Sequence, residues 1–191
     1  MDLDLGLVNL RTIAEGLNES QSFFHFMCPQ MPAIRNTVQH IDGVPHLAVH
    51  KIHPSFIAEH RYLAVDLITC FTKYPLAFIE DGELLWNHFA GESNQDERFM
   101  FVSADELYVY CRAAGRSFEE GLVHLLVGQL TNYFTKIGYH AATRNCVMDY
   151  CELRLNQIKG LKARTFCKNC NATLPDGDLK DALQALLGWR Y

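Results

Sequence analysis

Cys146, Cys151, Cys167 and Cys170 lie within 25 residues, and no other feature restricts the fold as strongly. A chain that gathers thiols so closely must cross-link them, bury them or place them around a metal ion. Cys167-Lys168-Asn169-Cys170 is a CxxC knuckle. At that spacing two thiolates can grip one ion while the intervening amides turn toward the sulfurs. His140 and Cys146 lie upstream with five residues between them, and Cys151 follows Cys146 after four more. Five candidate ligands therefore compete for the four places of a tetrahedral zinc site. The CxxC pair comes first and Cys146 third; the fourth place falls to His140 or to Cys151. If both were helical, Cys146 and Cys151 would face directions about 140° apart, so both can bind only if a helix starts between them. A redox CxxC normally opens a helix after a strand. Here it follows Lys162 to Phe166 and leads into Asn171 to Pro175, which reads as a knuckle around one structural zinc.

The other three cysteines (Cys28, Cys70 and Cys111) stand far apart in apolar surroundings and read as small buried hydrophobes. With 191 residues, 49% hydrophobic and 20% charged, the chain can bury one real core. The expected plan is a single domain over 1–191. An α/β core runs to residue 138, and a zinc segment with a last helix covers 139–191. Net charge is −5, which favours neither nucleic acid nor an anionic membrane. The cations concentrate in the zinc segment: residues 139–170 carry Arg144, Arg154, Lys159, Lys162, Arg164 and Lys168 against Asp149 and Glu152. They read as solvated, or as offsetting thiolate charge. Met1-Asp-Leu-Asp-Leu5 lacks the basic region of a signal peptide, and Asp66 interrupts the best apolar run, Tyr62 to Phe71. A soluble, cytoplasmic protein is expected.

Hydrophobic spacing predicts a helix over Leu5 to Leu17, stopped by Asn18. Strands are expected at Ser22 to Phe26, Val44 to Ile52, Tyr62 to Thr69 and Phe99 to Val102. Leu76 to Ile79 and Leu84 to Phe89 flank Glu80-Asp81-Gly82-Glu83, a hairpin signal because Asp-Gly supplies the positive φ angles of a tight turn. From Ser103 onward helices dominate. Ser103 can cap one that runs to Ala114, with Asp105 and Glu106 in its first turn and Gly115 at its end. Ser117 and Glu120 form a capping box for the strongest helix, 117–137. Its apolar stripe is Phe118, Leu122, Leu126, Leu130, Tyr133 and Ile137, with Gly138 as the stop. Further helices are expected from Asp149 to Leu161 and from Asp178 to Leu187. The order gives an α+β fold: a mixed β-sheet packed against a long central helix, with a C-terminal helical zinc-knuckle segment.

Cys146-Val-Met148-Asp-Tyr, followed by Phe166-Cys167-x-x-Cys170, resembles the structural zinc part of the archaemetzincins, a metzincin-type family of zinc metallopeptidases. That family carries a CxM segment and then a CxxC about twenty residues on. Its earlier cysteine falls here at Ala141, with His140 beside it. Val102-Ser103 before one helix and Gly115-Arg-Ser117 opening the next match the same layout, and the resemblance spans Phe99 to Cys170. Proteolytic members carry HExxHxxGxxH, three zinc-binding histidines and a glutamate base. The matching positions here read His124-Leu-Leu-Val-Gly128, with Leu125 for the glutamate, Gly128 for the second histidine and Phe134 for the third. The face Gly121, His124, Gly128, Thr131, Thr135 is small and polar, with one possible ligand. The hydrolytic machinery of the family is therefore expected to be missing. His124 reads as a core histidine or as an altered ligand, with His88 or His140 as companion.

His46, His50, His53 and His60 invite a second metal reading, but Pro45 and Pro54 break the segment. Trp86 to Ser93 reads as a strand end and loop, or as a pocket lining. The expectation is a non-catalytic, zinc-stabilised, metzincin-like domain acting through a protein partner as a regulatory subunit of prokaryotic type. One alternative is a divergent zinc hydrolase with a rearranged site. Another is a nucleic-acid binder using Arg154, Lys162 and Arg164.

Overall fold

The computed structural model describes residues 2–3, 9–27, 38–52, 65–88, 90–93, 96–151 and 153–191. The fold is α+β, with mixed sheets and C-terminal helices. The chain divides into two compact units, Met1–Val8 with Pro29–Asp105 and Asn9–Cys28 with Glu106–Tyr191.

The first unit carries the strands. β1 (Asp2–Leu3), β4 (Ile68–Thr72), β8 (Asp96–Ser103) and β7 (Ala90–Ser93) form one sheet in that order. Its β1–β4 and β4–β8 pairs are parallel, and β7–β8 is antiparallel. β2 (Val38–Ile41), β3 (Val44–Ala48), β5 (Leu76–Glu80) and β6 (Glu83–His88) form the second sheet. Antiparallel pairs β2–β3 and β5–β6 flank a parallel β3–β5 pair there. Leu47, Val49, Ile52, Cys70, Leu76, Phe99 and Phe101 make the apolar core of this unit. The Asp81-Gly82 turn forms as expected, both residues at positive φ (49° and 84°). Asp42-Gly43 builds a second turn of the same kind between β2 and β3, with φ of 50° and 81°.

Several expected boundaries move. The Val44 to Ile52 segment is a strand only to Ala48, and a 3-10 turn follows at Val49–Lys51. The strand expected from Tyr62 starts at Ile68; positions 62–64 lie outside the described residues. Ser103 ends β8 and its hydroxyl accepts the Asp105 N–H. The next helix opens only at Leu107, after Glu106 turns through φ 55°.

The second unit is helical. α1 (Leu10–Ser20) is capped by the Asn9 side chain; of its expected start, residues 5–8 lie outside the described residues. Asn18 does not stop it. That side chain reaches across to Phe26, accepting its N–H at 2.7 Å and donating to its carbonyl at 2.9 Å. The Ser22 to Phe26 strand is absent. Side-chain amides of Asn18 and Gln21 take up backbone groups of Phe24 and Phe26, so the segment needs no ladder partner. Phe24 packs on Phe134.

α2 (Leu107–Ala114) ends at Gly115 in the left-handed conformation. α3 (Phe118–Thr135) opens with both bonds of the capping box, Glu120 N–H to Ser117 Oγ and Ser117 N–H to the Glu120 carboxylate. It ends at Lys136, before Gly138. Its middle is buried nearly all round, not along one stripe. Gly121 makes this possible on one side, because a Cβ there would fall 2.2 Å from Cys111 Sγ. α4 (Gln157–Ala163), α5 (Lys168–Thr173) and α6 (Asp178–Gly188) complete the unit. The helix expected from Asp149 starts eight residues later, after a 3-10 turn at Arg154–Asn156. The reason lies in Asp149 itself, which organises a loop.

Candidate metal centre

The loop between α3 and α4 returns on itself. His140 N–H donates to the Met148 carbonyl at 3.0 Å, and Tyr150 N–H donates to the His140 carbonyl at 3.1 Å. Asp149 fills the loop. Its carboxylate accepts the Arg144 N–H at 2.9 and 3.1 Å and the Cys146 N–H at 3.0 Å. It also lies 3.0 Å from His140 Nδ1. With Nδ1 held by Asp149 and by the Ala142 carbonyl at 3.0 Å, Nε2 is the ring nitrogen turned toward the cysteines. Nε2 lies 3.7 Å from Cys167 Sγ.

The knuckle arrives from the other side. Cys167 is the residue before α5, and Cys170 lies one turn inside it. The CxxC thus opens a helix, though it follows the end of α4 and not a strand, so helix position alone does not separate metal binding from redox chemistry here. Two further donors stand beside the pair. His140 Nε2 and the Sγ atoms of Cys146, Cys167 and Cys170 all lie within 4.8 Å of one another, and this group could hold a metal ion. Tetrahedral zinc with three sulfurs and one nitrogen requires separations of about 3.5–3.8 Å. Small side-chain adjustments meet that requirement.

Backbone amides solvate the sulfurs. Cys146 Sγ accepts from Met148 N–H at 3.4 Å and from Cys167 N–H at 3.1 Å. Without a cation the cluster supports little negative charge. Burial pushes the Cys146 thiol up. Burial and then the neighbouring Cys146 push Cys170 to about 12. Burial also opposes ionisation of Cys167, but hydrogen bonds from Cys170, Cys146 and His140 outweigh it and bring that thiol to about 6. A divalent cation would supply the positive charge that lets all three thiolates form together.

Of the five candidate ligands, the structure gathers His140, Cys146, Cys167 and Cys170. Cys151 stands outside the group, buried at φ 56°, with burial and then Asp149 holding its thiol up near 12. Among the described residues the six cysteines are free thiols. Sequence reasoning missed Asp149, which holds the second nitrogen of the histidine, a common partner for a metal-binding imidazole. The signal was an acid three residues beyond Cys146.

The remaining candidates scatter. His124 is buried on α3, and burial followed by the Arg164 charge lowers it to about 3; its Nδ1 has no partner among the described residues. Neither His124 nor His88 belongs to the metal group. His88 stacks on Phe78 with ring centroids 4.6 Å apart. His46 Nδ1 lies 2.9 Å from the Val44 carbonyl, in the first unit; His46 and His50 join no metal group, and His53 and His60 lie outside the described residues. Arg164 is buried in an ion pair with Glu120 at 2.9 Å. Lys162 is exposed and its carbonyl accepts from Arg116. Among the described residues no helix is long and apolar enough to cross a membrane. No protein-family model matches the chain, and no curated protein or solved structure matches it.

Proposed function

We propose that the four-donor group holds one zinc ion, and that the chain is a non-catalytic, zinc-stabilised, metzincin-like domain acting as an interaction or regulatory subunit in the cytoplasm. One observation carries this reading: three cysteine sulfurs and an imidazole nitrogen lie within 4.8 Å of one another. That donor set closes the coordination sphere of zinc and leaves no position for water, so the ion holds structure and performs no hydrolysis. Six free thiols among the described residues suit a reducing compartment.

The helix that would carry a metzincin's catalytic histidines supports the same reading. His124 is buried at 4% exposure, Gly128 stands where a second ligand would be, and Tyr139 and the Val147 carbonyl fill the space beside that glycine. The positions that carry the glutamate base and the second histidine in the metzincin motif hold Leu125 and Gly128 here. A role through protein contacts draws support from apolar surface next to the metal loop. Tyr150 is 50% exposed, and Leu153 and Leu155 are each 70% exposed, beyond what a scattered surface residue explains.

The test is metal counting on reduced protein before and after mild chelation. One zinc per chain, retained until a strong chelator also unfolds the protein, supports the reading. Zero metal, or a second ion that exchanges readily, contradicts it.

A further inference from the structure

A cavity of about 420 Å³ lies in the second unit, lined by Arg164, Thr165, Phe166, Lys168, Asn171, Gln184, Leu187, Gly188 and Arg190. Three of these are cations and none is acidic. Glu120 pairs with Arg164 at 2.9 Å and with Arg190 at 3.3 Å, and so offsets one charge of the two. Lys168 has no ion-pair partner among the described residues. The side chains of the cavity, with Glu120, therefore carry a formal excess of two positive charges, where the chain as a whole is negative. Part of it is taken up by the carbonyls of Leu186, Leu187, Gly188 and Trp189, which accept from Arg164 and Arg190. Such an excess, concentrated against low-dielectric walls, attracts a compact dianion.

The lining also has an apolar and amide side. Phe166 and Leu187, both nearly buried, show only their edges as a small apolar floor. Gln184 Nε2 donates to Asn171 Oδ1 at 3.0 Å, which leaves the Asn171 amide N–H groups and the Gln184 carbonyl oxygen for a ligand. A phosphoryl group at pH 7 carries a charge of about −1.5 to −2 and accepts several hydrogen bonds, matching the excess. An inorganic ion would leave most of the volume empty. We propose that this cavity binds a small organic phosphomonoester, its phosphate between Lys168 and Arg190 over the buried Arg164, and its organic part against Phe166 and Leu187. Phe166 and Lys168 flank the metal-site residue Cys167, so one wall of the cavity is built on the metal loop. The proposal itself does not depend on which ion the loop holds.

Calorimetric titration of the metal-loaded full chain tests it, with glycerol 3-phosphate, inorganic phosphate and succinate as probes. Saturable binding of the phosphomonoester, tighter than inorganic phosphate and tighter than succinate, is the expected result. Lys168→Gln and Arg190→Gln should each weaken it about tenfold, the loss of one charge-assisted contact, with metal content unchanged. Lys168 is exposed, so its replacement leaves the fold intact. Absence of saturable heat up to about 10 mM, a range that would still reveal weak binding, overturns the proposal. So does succinate or inorganic phosphate binding equally well, or affinity indifferent to both substitutions. Metal content measured on the same samples separates this failure from failure of the zinc reading.

Discussion

Eleven of the eighteen residues of α3 are buried, and its first turn is closed by Ser117 and Glu120. The His140–Cys170 segment packs on the same helix, with the Val147 carbonyl over Gly128, yet it is built in the opposite way. It has short helices, and three non-glycine residues at positive φ: Asn145, Cys151 and Arg164. Each such residue costs roughly 1–2 kcal/mol locally. α3 holds its shape through burial and local capping. The loop holds an unfavourable backbone through the hydrogen bonds of Asp149, and an ion in the proposed four-donor site would tie it further. The difference teaches where a metal matters most: in the region whose local preferences do not select its own conformation.

The largest break in that comparison should come from Cys170→Ser. Structural zinc contributes on the order of 10 kcal/mol in small zinc-dependent domains. Loss of one ligand should therefore empty the site and lower unfolding free energy by more than about 3 kcal/mol. Hydrogen exchange should show amides of 140–170 losing protection by a larger factor than the centre of α3; equal losses would remove the distinction.

Glu120 serves both regions, as third residue of α3, closing its capping box, and as the partner of Arg164 at the end of α4. Glu120→Gln keeps an oxygen for the Ser117 N–H but strands the Arg164 charge. A cost of about 3–5 kcal/mol is expected from breaking a buried pair on one side, read by urea denaturation at pH 7. A change below about 1 kcal/mol, the scale of an exposed pair, would show that Arg164 finds its compensation elsewhere.

Asp149→Asn should act on the loop alone. Removing the charge behind His140 Nδ1 should weaken zinc binding by about tenfold to a hundredfold, measured by competition with a chromophoric chelator, with the folded spectrum of the zinc-saturated protein retained. Unchanged affinity would mean that the Ala142 carbonyl suffices to orient the ring.

The smallest effect belongs to α3. Burial lowers His124 from 6.5 to about 3, so the unfolded chain binds a proton that the folded chain refuses. This contribution to stability is full above the unfolded value of 6.5 and falls with acidification through the window from 6.5 down to 3. Between pH 7 and pH 5 it amounts to about 2 kcal/mol. His124→Gln should flatten the acid loss of stability by that amount relative to wild type, in paired urea titrations. An identical pH slope would place a hydrogen-bond acceptor or a negative charge beside the imidazole, enough to cancel the effects of burial and Arg164.

Features governed by neighbours in sequence were legible. The capping box of α3, the Gly115 stop and the Asp81-Gly82 turn follow from adjacent residues. Asp42-Gly43 carries the same signal, and proline is tolerated just after it inside β3, opposite His40. What the sequence hid depends on partners far along the chain. Asn18 reads as a stop until Phe26 is seen against it. Arg164 reads as a solvated cation until Glu120, 44 positions away, is found beneath it. Of the group that could hold a metal ion, spacing brings out the three cysteines but leaves His140 and Cys151 in contest, because both stand at a similar distance along the chain from Cys146. Asp149 is what spacing hides: it lies 3.0 Å from His140 Nδ1 and turns the imidazole toward the three cysteines, while Cys151 stands outside that group.

X-ray absorption at the zinc edge on the reduced, metal-loaded chain tests this arrangement most directly. The account predicts three sulfurs at about 2.3 Å and one imidazole nitrogen at about 2.0 Å, with nothing else bound. A shell of four sulfurs would return Cys151 to the site, and an oxygen from water would open it to chemistry; either result would contradict a closed His140, Cys146, Cys167, Cys170 centre.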